Sequence, residues 1–175
     1  WLPPLPTRIT VAELDSLRRP GNPADAVPIG LCDRPSLQAQ HPWWFEPAAG
    51  RHWLVTGAPG SGKTTVLRTV AGALARSRPV RDAHLYGLDC AGGALTAIAE
   101  LRQCGAVADT RQIDRGLRLL SRLQSEVIRR QWLLADRGAA SAAELRSTDP
   151  ESALPWLVLL LDGWEGFLDL YGDVD

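Results

Sequence analysis

Apolar residues along the chain fall into short continuous runs and longer segments with helical spacing, and the two kinds alternate. The short runs predict buried strands at residues 27–35, 53–56, 84–89 and 154–162. The helical spacing predicts a helix over 63–77 and a long one over about 111–137, with shorter helices at 11–18, 95–102 and 141–146. Strand runs separated by helices are typical of an α/β fold with a parallel sheet.

The long predicted helix carries an apolar face and many arginines. The apolar positions that approximate one face are Ile113, Leu117, Leu120, Leu123 (or Gln124), Val127 and Trp132. The arginines lie largely elsewhere and are Arg115, Arg118, Arg122 and Arg129. Such a stripe could meet DNA or an acidic partner, but a solvated face paired with local acids such as Asp114 and Glu126 is the favoured interpretation.

Two further features each have two interpretations. Trp43, Trp44 and Phe45 form either a partner-binding patch or, as we favour, a cover over the edge of the sheet. Asp89 ends the run at 84–89, where parallel sheets bind ligands, but its carboxylate could equally cap the helix that follows.

The composition is that of a globular protein without a strong overall charge. The chain has 175 residues, 45% of them hydrophobic, and a formal net charge of -1. It therefore presents no overall basic field to nucleic acid, and its longest apolar run is far shorter than the roughly 18 residues of a membrane helix. Three cysteines are an odd number, which argues against a disulfide framework. Because the chain begins with Trp1 and contains no methionine, we expect it to be a piece of a longer protein.

A phosphate-binding loop is the strongest motif. In LVTGAPGSGKTT, residues 54–65, Gly57, Gly62, Lys63 and Thr64 satisfy G-x-x-x-x-G-K-[ST], and Lys63 is the only lysine of the chain. A chance match is on the order of one in a thousand at this composition. The predicted strand before the loop and the predicted helix after it supply the context that the motif requires.

The residue types of this loop fit the chemistry of a nucleotide. Glycines let the backbone aim its N–H groups at a phosphate beside a helix N-terminus. Lys63 would place its charge on the β- and γ-phosphates, and the Thr64 hydroxyl would bind Mg²⁺. The alternative is a glycine-rich turn that caps an ordinary helix. The predicted nucleotide-binding residues are Gly57, Ala58, Pro59, Gly60, Ser61, Gly62, Lys63, Thr64 and Thr65.

A second motif, LVLLLDGWEG at 157–166, ends an apolar run on Asp162. Downstream of a phosphate loop, this aspartate is predicted to bind the same Mg²⁺ as Thr64. The alternative is a buried strand that ends on an aspartate in a turn without any metal. In many RecA-like ATPases a glutamate follows directly and activates water, whereas Gly163 stands here and Glu165 lies three residues beyond Asp162. Because base positioning is worth about 10²–10⁴-fold in rate, we expect nucleotide binding with slow turnover.

The order of the motifs resembles that of one family. WLPPLP and VPIGLCDRP precede GAPGSGKTTVLRT, and LYGLDCAGGALTAI, GAVAD and LVLLLDGW follow it. This order is similar to that of FtsK/SpoIIIE-type ATPase domains, and most similar to that of the tandem domains of EccC-type ATPases of type VII secretion. The phosphate loop alone is generic, whereas WLPPLP, LDCAGGAL and the DGW ending are more specific.

The resemblance implies a RecA-like P-loop NTPase core, an α/β fold with a parallel sheet flanked by helices. It implies a Pro-rich lead-in over residues 1–26 and a P-loop NTPase domain over 27–175, with the C-terminal part of that domain missing from the chain. ATP and Mg²⁺ are the implied cofactors. Because Gly163 replaces the acid, the resemblance favours a second or third tandem domain, in which that acid is often absent.

The resemblance also implies a cellular context. The chain would be a cytoplasmic domain of a membrane-anchored secretion ATPase that forms hexamers, with weak or no hydrolysis of its own. Its implied partners are other domains of the same longer chain, secretion-complex subunits and an exported protein substrate. Two alternatives stay open: an FtsK-like DNA-translocating motor, which the near-neutral charge and Gly163 disfavour, and an interaction module that uses no nucleotide.

Overall fold

The computed structural model of the protein describes residues 2–23 and 25–172. The chain divides into two units, Trp1–Ser77 and Arg78–Asp175. The helices are α1 (Val11–Ser16), α2 (Lys63–Ser77), α3 (Ile113–Asp136), α4 (Ala142–Thr148) and α5 (Trp164–Tyr171). The strands are β1 (Val27–Arg34), β2 (Ala39–Phe45), β3 (Ala83–Asp89), β4 (Cys104–Asp109) and β5 (Trp156–Asp162).

In the first unit, β1 and β2 form an antiparallel hairpin. The strands pair from Val27 opposite Phe45 to Arg34 opposite Ala39. A short 3-10 turn at Pro35–Leu37 connects them. The predicted strand at 27–35 is therefore confirmed, whereas the sequence pattern predicts no strand at β2.

Two helices pack on the first strand of this hairpin. α1 begins with a capping box, in which the Thr10 hydroxyl accepts from the Glu13 backbone N–H and the Glu13 carboxylate accepts from the Thr10 N–H. This arrangement satisfies N–H groups that a helix start leaves unpaired. Leu14 is buried and anchors α1. The buried face of α2 consists of Val70, Ala71, Ala73 and Leu74.

The prediction of a buried strand at 53–56 is wrong. Within the described residues this segment belongs to no strand, and Leu54 is 81% exposed. An apolar run becomes a strand only where a neighbouring strand pairs with its backbone groups, and no such pairing occurs here within the described part of the chain. Trp53 is instead held by aromatic contacts: its ring stacks on Trp43 with centroids 4.9 Å apart and meets Phe45 edge-on at 5.3 Å.

The second unit contains a parallel sheet of three strands in the order β4-β3-β5. β3 and β5 agree with the predicted strands at 84–89 and 154–162 to within two residues. The pattern predicts no strand at β4, whose run contains the small residues Gly105, Ala106 and Ala108 and therefore carries little of the β-branched or aromatic signal of strands.

Both faces of this parallel sheet are covered. On one face α3 and α5 pack over a buried cluster of Leu88, Cys90, Ala108, Leu119 and Tyr171. The opposite face meets a 3-10 helix at Ala94–Glu100, where the sequence predicts an ordinary helix at 95–102. The contact is close, because a Cβ on Gly87 would lie 3.2 Å from Ile98 Cδ1. The predicted α/β class, with a parallel sheet flanked by helices, is confirmed.

The apolar face predicted for α3 is correct only at Leu117, Leu120 and Leu123, which pack against the buried cluster. Ile113 is 39%, Val127 50% and Trp132 74% exposed. For Val127 and Trp132 the reason is length: 24 residues of helix extend about 36 Å, whereas the strands beneath extend only about 20–23 Å. The second half of α3 therefore runs beyond the cluster.

Candidate nucleotide-binding site

The phosphate-loop motif lies in an exposed loop that leads directly into α2. Gly57 to Ser61 are exposed, and α2 begins at Lys63, as the sequence predicts. Gly62, Lys63 and Thr64 are half-buried at the start of the helix, and Thr65 is exposed. The structure thus brings all nine predicted nucleotide-binding residues together in one turn at a helix N-terminus, where backbone N–H groups favour an anion.

The shape of the loop requires glycine at specific positions. A Cβ on Gly57 would lie 2.5 Å from the Ser61 hydroxyl oxygen, so the Ser61 side chain would have to rotate to admit it. Gly60 and Gly62 have φ angles of 76° and 92°, in the left-handed region that side chains rarely adopt. The Ser61 N–H donates to the Ala58 carbonyl at 3.1 Å and closes the turn.

Lys63 is held over this turn. Its ammonium group donates to the carbonyl oxygens of Gly57 and Ala58, both at 2.9 Å. The ammonium charge of Lys63 therefore lies at the turn formed by Gly57 and Ala58. A tight glycine turn, a helix N-terminus and a cation in one place are the features that a nucleoside triphosphate requires, so the residues fit the predicted ligand.

The second motif ends β5 in the other unit. Asp162 is the last residue of the strand and is 6% exposed. It stands in register with Asp89 of β3, which in turn stands in register with Asp109 of β4. Three aspartates therefore lie side by side at the carboxyl edge of the sheet, the edge where parallel sheets bind ligands.

Asp89 is committed to its own loop. Its carboxylate accepts from the backbone N–H groups of Ala91 at 3.3 Å, Gly93 at 3.0 Å and Leu95 at 2.7 Å. The predicted role as a cap is thus the one that the contacts support. Burial, together with the charges of Asp89 and Asp162, raises the pKa of the Cys90 thiol, so that thiol stays protonated at neutral pH.

The residue after Asp162 has no side chain and adopts the left-handed backbone that glycine tolerates. Gly163 has a φ of 83° and precedes the first residue of α5. Glu165, the next acid along the chain, is exposed in the first turn of α5. Neither position supplies a carboxylate beside Asp162 in the way that a directly following glutamate does.

The arginines of α3 make local contacts. Arg129 and Arg130 both donate to the Glu126 carboxylate, with shortest distances of 2.7 Å. Arg130 also donates to the Pro155 carbonyl at 2.6 Å, just before β5. Hydrogen bonds from Arg129 and then Arg130 lower the pKa of Glu126 to about 2. For Arg129, the interpretation as a surface paired with local acids is the correct one.

Comparison with known proteins agrees with these motifs. A sequence model described as the FtsK/SpoIIIE family matches residues 14–162. The chain belongs to this family. The ESX-4 secretion system protein EccC4 of Mycobacterium tuberculosis is 36% identical over 168 residues, which are 94% of this chain and 14% of that protein.

Solved structures of the family have the same fold. The cytoplasmic domain of the Thermomonospora curvata type VII secretion ATPase EccC has a TM-score of 0.84 at 30% identity, over 98% of this chain and 22% of that one. ATPases 2 and 3 of the same protein, in complex with a signal sequence peptide, give a TM-score of 0.77 at 30% identity, over 85% of this chain and 28% of that one. These likenesses confirm the P-loop NTPase fold and the similarity to a second or third EccC domain.

The chain spans less than a third of each of these relatives. No helix in residues 2–23 and 25–172 is long and apolar enough to cross a membrane. The sequence pattern predicts a role for position 163 only through the missing acid, and it predicts none for Gly166 and Cys90, which lie against each other at the turn after Asp162. The paired glycines in DGWEG were the available signal.

Proposed function

We propose that the chain is the ATP-binding domain of a membrane-associated type VII secretion ATPase, which binds Mg-ATP with weak or no hydrolysis. The observation that carries this proposal is the closed phosphate loop, in which the Lys63 ammonium lies over the carbonyl oxygens of Gly57 and Ala58 at the start of α2. Family membership supports the same conclusion.

The residues divide the work of binding. Backbone N–H groups of the loop, such as those of Gly60 and Gly62, would bind phosphate oxygens, and Lys63 would neutralise the charge of the β- and γ-phosphates. Thr64 and Asp162 are the proposed ligands of Mg²⁺, which would offset phosphate charge when bound. With Gly163 after Asp162, no side chain at that position orients a water molecule, so the nucleotide persists.

A nucleotide that stays bound without rapid hydrolysis is better suited to assembly of the complex and recognition of a substrate than to translocation. One relative is solved with a signal sequence peptide, and we propose that this chain likewise serves recognition of an exported protein, beside other domains of its longer chain, other secretion subunits and copies in a hexamer. A cytoplasmic position on a membrane-anchored protein belongs to the same proposal. DNA translocation is disfavoured, because the net charge is -1 and Arg129 and Arg130 are paired with Glu126.

Calorimetry with Mg-ATP tests this proposal. Lys63→Ala should weaken binding about 10- to 100-fold, since charge-assisted hydrogen bonds contribute about 1.5–3 kcal/mol. Arg68→Ala, an exposed cation on the same helix, should bind as the unchanged chain does. No Mg-ATP binding by the unchanged chain would refute the proposal. Hydrolysis at about 1 s⁻¹ or faster, abolished by Lys63→Ala, would refute its slow-turnover part, and salt-dependent binding to duplex DNA would favour the motor.

A further inference from the structure

Two glycines after Asp162 lie directly against the carbonyl group of Cys90. A Cβ on Gly163 would lie 2.8 Å from both the carbonyl carbon and the carbonyl oxygen of Cys90, and 3.0 Å from Ala91 Cβ. A Cβ on Gly166 would fall onto the same carbonyl oxygen. The opposing atoms belong to the backbone, so no side-chain rotation can relieve either contact.

A left-handed backbone alone does not account for these glycines. Gly138 has a φ of 63°, yet a Cβ there would meet nothing within 4 Å. Gly166 lies inside α5, outside the left-handed region, yet it opposes the same carbonyl as Gly163. What Gly163 and Gly166 share is the close approach to Cys90, one helical turn apart.

The same contact holds the end of β5. The Cys90 N–H donates to the Asp162 carbonyl at 2.8 Å. Cys90 therefore binds Asp162 through its N–H and contacts Gly163 and Gly166 through its C=O. Cys90 is itself fixed from β3, because the preceding Asp89 carboxylate binds the N–H groups that follow Cys90. Asp162 is therefore held through two backbone contacts with the adjacent loop.

We propose that Gly163 is a positioning residue: with Gly166 it seats the turn after Asp162 on the Cys90 carbonyl, which orients Asp162 and excludes any side chain, a water-activating glutamate included, from position 163. The absent acid is thus a consequence of packing, and a single substitution cannot restore it. The orientation of Asp162 towards Mg²⁺ rests on the proposed function. The packing of the turn after Asp162 on the Cys90 carbonyl does not.

Four alanine substitutions separate close contact from backbone strain by chemical unfolding of the 175-residue chain. Gly163→Ala introduces both a steric contact with Cys90 and an unfavourable φ, so it should raise the unfolding constant about 100-fold. Gly166→Ala introduces the steric contact without an unfavourable φ, and it should raise the unfolding constant about 10-fold. Gly138→Ala introduces the unfavourable φ without a steric contact, and it should also raise the constant about 10-fold. Gly92→Ala has open space in the neighbouring loop and should change it by less than about threefold. Equal effects of Gly163→Ala and Gly138→Ala would overturn the seating.

A second readout reports orientation of Asp162 and not mere stability. ATP affinity is measured with Mg²⁺ and with chelator, at a temperature where circular dichroism shows each variant folded. Gly166→Ala should lose most of the gain in affinity that Mg²⁺ gives and keep the affinity in chelator, whereas Gly138→Ala should keep both. A full Mg²⁺ gain in Gly166→Ala would overturn the positioning role.

Gly163→Glu tests the exclusion directly. We expect no gain in ATP hydrolysis and a loss of stability at least as large as that of Gly163→Ala. A tenfold or greater gain in hydrolysis with unchanged stability would overturn the proposal. If the unchanged chain bound no Mg-ATP, the proposed function would be refuted. The unfolding measurements on the four alanine variants, together with hydrogen-exchange protection of the Cys90 N–H, would still show whether the turn after Asp162 packs on Cys90.

Discussion

Asp89 and Asp162 are direct neighbours across two parallel strands, each the last residue of its strand, and both are almost completely buried. Both oxygens of Asp89 accept from backbone N–H groups of the loop that follows it. Asp89 therefore has a structural role as a cap, and the metal role proposed for Asp162 rests on its motif and its place at the carboxyl end of β5.

Removal of the Asp89 carboxylate should destabilise the chain strongly. Asp89→Ala leaves three backbone N–H groups without their acceptor, of which that of Leu95 is buried and those of Ala91 and Gly93 belong to exposed residues. A buried unsatisfied N–H costs about 1–3 kcal/mol and the two others less, so we expect a loss of about 2 kcal/mol or more in the free energy of unfolding. Urea denaturation measures it, with Asp169→Ala on the exposed side of α5 as the control. Equal midpoints for the two variants would contradict the structural role.

The paired arginines on α3 predict a pH dependence of stability. Glu126 has its pKa lowered from 4.5 to about 2 in the folded chain, chiefly by the hydrogen bond from Arg129. A lowered folded pKa means that the stabilisation is complete above about pH 4.5 and is lost as the pH falls from there towards 2. Because the carboxylate is 27% exposed, we expect about 1–2 kcal/mol at neutral pH.

Glu126→Gln isolates this contribution. The variant should be less stable than the unchanged chain at pH 7, and the difference should shrink as the pH is lowered below 4.5. Denaturant unfolding at pH 7, 4.5 and 3 measures the trend. Gln124→Ala, at an exposed position of the same helix that carries no titratable group, should show no such trend. A Glu126→Gln difference that stays constant over this range would contradict the ion-pair explanation.

Local chemistry made several features predictable from the sequence. The start of α2 at Lys63 follows from the glycine-rich loop, whose left-handed residues cannot continue a helix backwards. β3 and β5 are short apolar runs that end on an acid, and both form buried parallel strands as expected. Each depends on residues near one another in the chain, which is the information that spacing contains.

Other features depend on distant residues and could not be read from local patterns. Residues 53–56 have a strand-like sequence, but a strand needs a partner that periodicity does not provide. Trp132 lies on the predicted face of α3, yet it falls beyond the cluster that the face covers. The contact of Gly163 with Cys90 joins positions 73 residues apart and becomes visible only when β3 and β5 are neighbours.

Two glycines inside helices should respond to alanine in opposite directions. Gly116 on α3 lies against the phenol ring of buried Tyr171, where a new Cβ would be 2.7 Å from Cζ, so Gly116→Ala should destabilise by about 1–3 kcal/mol. Gly72 on α2 has open space, and Gly72→Ala should stabilise by about 0.5–1 kcal/mol, because alanine has the higher helix propensity. Thermal unfolding gives both signs. A stabilising Gly116→Ala would show that Tyr171 moves freely.

The stacked rings of Trp43 and Trp53 should couple energetically, because offset aromatic pairs contribute about 0.5–1.5 kcal/mol beyond their buried area. A double-mutant cycle with both tryptophans changed to alanine, singly and together, measures the coupling from denaturant unfolding. Trp132, which is far more exposed, serves as the control, and Trp132→Ala should change stability by less than about 0.5 kcal/mol. If the cycle gave no coupling, the rings would not hold the segment before the phosphate loop.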